Sequence, residues 1–187
     1  MNDEKPKDIG TVCKDWWKAA IKKDDGPARK TRAELRRAAT PLEALGIPAV
    51  HDLYAALVKA GYDLRHHPAG DGPNRLALIA IAIARIDNNS NRRESRLACR
   101  LGERGEGDRP RLSEMRFHRL LRAETPHELI RPLSRALQML KGEKGGVNLS
   151  CLADNLYWWN DRVRTSWCFD YFGASAAKPE QLEETTT

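Results

Sequence analysis

Along the chain, short polar punctuation separates stretches in which apolar residues return every three or four positions. Between Pro48 and Gly61, Val50, Leu53, Tyr54, Leu57 and Val58 keep that spacing, which lines one face of an α-helix, and Gly61 supplies a stop. After Pro126, Leu129, Ile130, Leu133, Leu137 and Leu140 trace a second stripe, ended by Gly142 and the Gly145-Gly146 pair. Two tetrapeptides, Thr40-Pro41-Leu42-Glu43 and Thr125-Pro126-His127-Glu128, share the form T-P-x-E. Each predicts a helix start: threonine accepts from the first turn, proline at the first helical position loses no hydrogen bond, and glutamate closes a capping box. Further helices are predicted at 12–22, 28–39, 92–101, 113–123, 147–159 and 161–172.

The run Leu76 to Ala84 is ambiguous by pattern, because its large residues largely alternate as on a strand. Its four alanines, Pro73 just ahead of it and the lack of any partner strand decide for a buried helix. Segments 87–91 and 102–110 read as mobile loops, 1–11 as a flexible N-terminus and 174–187 as a disordered acidic tail. The expected fold is all-α: a compact helical bundle over 12–173 with a basic outer face.

With 187 residues the chain can bury an adequate core without metal or disulfide. No apolar run approaches the roughly 20 residues of a membrane span, and the polar start lacks a secretory signal, so a cytoplasmic protein without membrane contact is expected. Cys13, Cys99, Cys151 and Cys168 lie too far apart for a metal-ligand pair and read as small core residues.

Charge changes the picture most. Of 32 basic residues 21 are arginine, and residues 28–141 hold 22 basic against 13 acidic side chains, a net +9. Arginine's planar fork can hold a phosphate through two hydrogen bonds, so a polyanion is the natural partner. The arginines also fall at helical spacing: Arg29, Arg32 and Arg36, with Arg37 beside them; Arg92, Arg96 and Arg100; Arg116, Arg119 and Arg122; Arg131 and Arg135. Any one such ridge is equally the solvated face of a helix. Four in one small domain suggest tracking of a phosphate backbone rather than reading of bases.

Trp16, Trp17, Trp158, Trp159 and Trp167 could stack on bases, but the two pairs stand beside apolar stripes, which predicts one core member in each. The second member is expected to cap a subunit interface. Catalytic signals are thin. His66 and His67 sit in a loop where neighbours point apart, and His51, His118 and His127 are scattered. Asp154, Asp161 and Asp170, in the acidic C-terminal part, could in principle assemble a two-metal nuclease site, and nearby Arg162 and Arg164 explain them more simply as surface acids. No catalytic residue, cofactor or metal is expected.

Taken in order, certain pieces resemble the CasB family, the small subunits of type I-E CRISPR Cascade complexes. They are Asp15-Trp16-Trp17, Gly26-Pro27-Ala28 to Leu35-Arg36-Arg37-Ala38, Ile47-Pro48-Ala49 leading to Leu53-Tyr54, and Leu101-Gly102. Then come Arg111 to Ala123, Leu133 to Leu137, Leu156-Tyr157-Trp158-Trp159, and Trp167 with Asp170-Tyr171-Phe172. The resemblance implies a non-catalytic helical subunit, present in two copies, in a ribonucleoprotein with CRISPR RNA, a repeated backbone subunit and a large subunit. It also implies R-loop stabilisation through the displaced non-target strand and the RNA-paired target DNA. By position the family's basic surface falls on Arg36, Arg37, Arg111, Arg116, Arg119, Arg122 and Arg135, with Arg75 a weaker match; Arg92, Arg96 and Arg100 are added from this sequence alone. The alternatives are a free-standing helical RNA-binding or antitermination-type module and a metal-dependent nuclease.

Overall fold

A computed structural model of the chain describes residues 7–105 and 108–173; the expected acidic tail and most of the expected flexible N-terminus lie outside these residues. Ten α-helices occur among them, together with two short 3₁₀ turns and only isolated β-bridges. They are α1 (Ile9–Trp17), α2 (Gly26–Arg37), α3 (Pro41–Leu45), α4 (Pro48–Lys59), α5 (Gly72–Ile83), α6 (Leu97–Gly102), α7 (Glu114–Leu121), α8 (Pro126–Met139), α9 (Leu149–Tyr157) and α10 (Asp161–Gly173).

The predicted punctuation operates. Thr40 and Thr125 accept from the backbone N–H groups of Glu43 and Glu128, and Glu128 completes a capping box. Glu43 reaches one residue further back and accepts from the N–H of Ala39 at 2.8 Å. The first helix starts at Ile9 rather than residue 12, because the Asp8 carboxylate accepts from the N–H of Thr11 at 2.8 Å and caps it. Beyond Trp17 the coil widens into a π-turn, Lys18–Lys22, that packs on α2.

The alternating run is helical. In α5 every residue from Arg75 to Ile83 is buried, and α3, α4, α8 and α9 pack around it as a sleeve. A helix apolar on all sides belongs at the centre of a bundle, which explains why period alone could not distinguish it from a strand. Two outer crossings are close enough to require glycine. On Gly10 a Cβ would stand 2.6 Å from that of Ser150 on α9, and on Gly102 it would stand 2.0 Å from the carbonyl oxygen of Tyr171 on α10. At this second crossing Phe117 stacks on Tyr171, centroids 3.9 Å apart, and the Tyr171 hydroxyl donates to the carbonyl of Leu112.

Two local expectations are corrected. Residues 92–101 do not form one helix: a 3₁₀ turn, Arg93–Ser95, precedes α6, and Arg96 has extended backbone between them. The 87–91 loop is fastened rather than mobile. Asn88 accepts from the N–H of Val147, Ser90 donates its N–H to the Val147 carbonyl, and the Asn89 side chain accepts from the N–H of Leu149. Among residues 102–110, those described are also tied: Arg111 donates its N–H to Glu103, and Gly105 to Arg109.

Gly102→Ala is expected to destabilise the fold by about 1–3 kcal/mol, the range for overpacking, because backbone and not a movable side chain blocks the new methyl. Urea melts of the variant and parent read this directly.

Candidate nucleic-acid interface

The structure divides the predicted arginines by what their guanidiniums already hold. Arg75 is 5% exposed and donates to the carbonyls of Tyr157 and Trp159, at 3.0 and 3.4 Å, joining the start of α5 to the end of α9. Arg100, 8% exposed, forks onto both Glu103 oxygens at 2.9 and 2.8 Å and donates to the Lys144 carbonyl at 2.7 Å. Arg111 is half-buried between Glu103 at 3.2 Å and Glu143 at 3.0 Å. Arg96 reaches Asp170 at 3.4 Å. Arg36 donates to the Ala84 carbonyl at 2.8 Å and pairs with Asp87 at 2.7 Å. Arg75 and Arg100 are therefore interior fasteners, a correction to their expected places, Arg75 on the family's basic surface and Arg100 on an outer ridge. The 92–96–100 ridge does not exist, because the backbone breaks at Arg96.

Arg36 has a counterpart. Arg85, which carried no signal in the sequence, donates to the carbonyls of Leu35 and Arg36 at the end of α2, at 3.2 and 2.7 Å. Each helix end is thus capped by an arginine of the other. Burial first, and the neighbouring Arg36 charge second, lower the Arg85 pKa to about 10, which leaves it protonated at neutral pH.

What remains forms a distinct group. On α7, Phe117 and Leu120 turn into the core while Arg116, Arg119 and Arg122 are exposed; on the adjoining α8, Leu129, Ile130, Leu133 and Leu137 turn inward while Arg131 and Arg135 are exposed. Among the described residues, none of these five guanidiniums has an ion-pair or hydrogen-bond partner in the protein. Glu128, the acid closest to them in sequence on α8, is occupied by the backbone N–H groups of Glu124 and Thr125. Arg37 and Arg92 are likewise exposed and unpaired, away from this helix pair in the chain. The arrangement can bind phosphates along a surface without reading sequence.

A family model of the CRISPR-associated protein Cse2 matches residues 31–172, most of the chain and every helix from the interior of α2 onward. The chain belongs to the Cse2 family. The resemblance to type I-E small subunits read from the sequence therefore holds. In fold, this Cse2-family chain is similar to a chain of E. coli Cascade bound to a PAM-containing double-stranded DNA target, with a TM-score of 0.61 and 20% identity over 91% of this chain and 98% of that one. No curated protein matches it in sequence.

Other candidate chemistry separates in the structure. Asp161 pairs with Arg164 at 2.5 Å and Asp170 with Arg96, while burial, and then Asp8, raise the pKa of Asp154. Among the described residues, no three His, Cys, Asp or Glu side chains are grouped to share a metal ion. Burial pushes the thiol of Cys13 up to about 12 and that of Cys99 up to about 11, so both stay protonated. Trp16 and Trp17 are both core, at 6% and 5% exposure, against the expected one of two, because their indole N–H groups donate inward to the carbonyls of Ala49 and Ile86. Trp159 and Trp167 are buried and Trp158 is 40% exposed. No helix among the described residues is long and apolar enough to cross a membrane.

His66 pairs outward with Asp63 at 2.7 Å, whereas His67 is buried with its ring 4.5 Å from that of Tyr157. Burial, then the Arg75 charge, hold the His67 pKa below its ordinary 6.5. An unfolded chain takes up the proton that the folded one resists, so acidification from pH 6.5 toward the folded value costs stability. In urea melts, His67→Phe is expected to flatten that loss. Arg75→Gln is expected to cost about 2–3 kcal/mol at neutral pH by leaving buried carbonyls short of donors.

Proposed function

We propose that this Cse2-family chain is the non-catalytic small subunit of a type I-E Cascade ribonucleoprotein. Its partners would be CRISPR RNA, target DNA, the repeated backbone and large subunits, and a second copy of itself. Its work is to hold an R-loop open through sequence-blind contacts to nucleic-acid backbone. The observation that carries this reading is the α7–α8 face, where five arginines are exposed with no partner among the described residues while the helices' apolar sides fill the core.

The energetics suit the role. Exchange of a DNA duplex for an RNA–DNA duplex is nearly balanced, so modest backbone contacts decide whether the displaced strand returns. From the residues expected at the start, the interface keeps Arg37, Arg92, Arg116, Arg119, Arg122 and Arg135, and it gains Arg131. The partly engaged Arg36, Arg96 and Arg111 serve it only by releasing carboxylates they now hold. Six phosphate contacts would lower affinity about a thousandfold between 50 and 200 mM salt.

Replacing Arg116, Arg119 and Arg122 together by Glu is expected to shorten R-loop lifetime in the assembled complex by at least about tenfold at low salt. The slope of log affinity against log salt should fall by about 3, one unit for each lost contact. Circular dichroism should be unchanged, since these side chains hold nothing among the described residues. An unchanged lifetime in the triple variant would sink the assignment. Selective binding of a structured RNA by the lone subunit, without partner proteins, would favour the free-standing module.

A further inference from the structure

We infer that the concave pocket between α4 and the start of α5 holds one unpaired nucleobase of a bound strand; the inference rests on the nucleic-acid role proposed above. The pocket measures about 240 Å³ and is lined by Leu45, His51, Tyr54, Leu64, Arg65, Pro73 and Leu76. Leu64 and Leu76, 1% and 3% exposed, make an apolar floor. Tyr54 forms a half-buried aromatic wall, and the Arg65 guanidinium stands over its ring at 5.6 Å. The imidazole of His51 is held at the lip by a 2.8 Å hydrogen bond from Nε2 to the Leu45 carbonyl.

Charge at the lip selects the occupant. The Asp63 carboxylate is already taken up by the His66 ring at 2.7 Å, the Arg65 backbone N–H at 2.9 Å and the Tyr54 hydroxyl at 3.4 Å. The Arg65 guanidinium has no carboxylate partner among the described residues. A flat ring on an apolar floor, flanked by an aromatic face and a guanidinium, with an anion needed beside it, describes a nucleotide. An aliphatic side chain from a protein partner would fill the floor but bring the Arg65 guanidinium no anion. The arginine face on α7 and α8 is blind to bases, so this pocket adds a contribution that depends on the base being present.

The test is fluorescence anisotropy of the full-length chain with an end-labelled oligodeoxyadenosine strand, its ribo counterpart, and strands of equal length and charge bearing abasic sugars. The base-bearing strands are expected to bind at least about fivefold more tightly than the abasic ones, the scale of one stacked base. Tyr54→Leu should erase most of that ratio while leaving abasic affinity unchanged; Arg65→Gln should also erase most of it, with a smaller loss of abasic affinity from its lost phosphate contact. Arg65 is exposed and makes no side-chain hydrogen bond among the described residues, so Arg65→Gln remains informative if Tyr54→Leu fails to fold. Equal binding of base-bearing and abasic strands by the parent, or a ratio that survives Arg65→Gln, overturns the pocket. If the abasic strand fails to bind while the base-bearing strand binds in a Tyr54- and Arg65-dependent way, the pocket stands and the arginine face falls. A ratio confined to the deoxy or the ribo strand supports the pocket and names the strand it serves.

Discussion

A helix buried on all sides has no water at its end, and the carbonyls where α5 finishes must find donors from the protein. They find four. Arg36 reaches the carbonyl of Ala84, Arg85 that of Ile81, Trp17 that of Ile86 and Lys22 that of Asp87. Arg85 follows α5 directly, but the other three donors come from α2, α1 and the π-turn, which are thereby fixed around α5. At the opposite end Arg75 turns the same problem around, giving its donors to the last carbonyls of α9 and the turn that follows. The bundle is organised as much by polar satisfaction at the two ends of its centre as by the apolar sleeve between them.

This explains why net charge is a poor guide to the outer surface. The middle of the chain carries +9 by sequence, but Arg36, Arg75, Arg85 and Arg100 spend their donors on carbonyls and carboxylates inside the fold. A guanidinium suits such work because five donors in a fixed fork can serve two helices at once. The same geometry makes it suitable for phosphate. Which of the two tasks a given arginine performs depends on what the chain packs against it.

Legibility in the sequence followed the range of the interaction. While the helical state of Leu76 to Ala84 rested on its alanines, on Pro73 and on the lack of a partner strand, local rules placed the helix starts at Thr40 and Thr125 and the stripes of α4 and α8, because capping and periodicity act within a few residues. The exposed trio on α7 was legible for the same reason, its phase being set by Phe117 and Leu120. The break at Arg96 was hidden, since the i, i+4, i+8 spacing of Arg92, Arg96 and Arg100 suits a helix that tertiary packing does not allow. Arg85 was hidden too, as its partners lie about 50 residues away. The fastened 87–91 loop depends on Val147 and Leu149, which no local reading connects to it.

The family match begins at residue 31, yet two of the four donors at the end of α5, Trp17 and Lys22, come before it. So does Gly10, whose bare backbone lets α1 lie against α9. A shortened protein cut at the family boundary would thus lose part of its keystone rather than an ornament. The carbonyls of Ile86 and Asp87 would lose these donors, and the side of the bundle facing α1 would be left bare. The opening segment is masonry that the match over 31–172 leaves out.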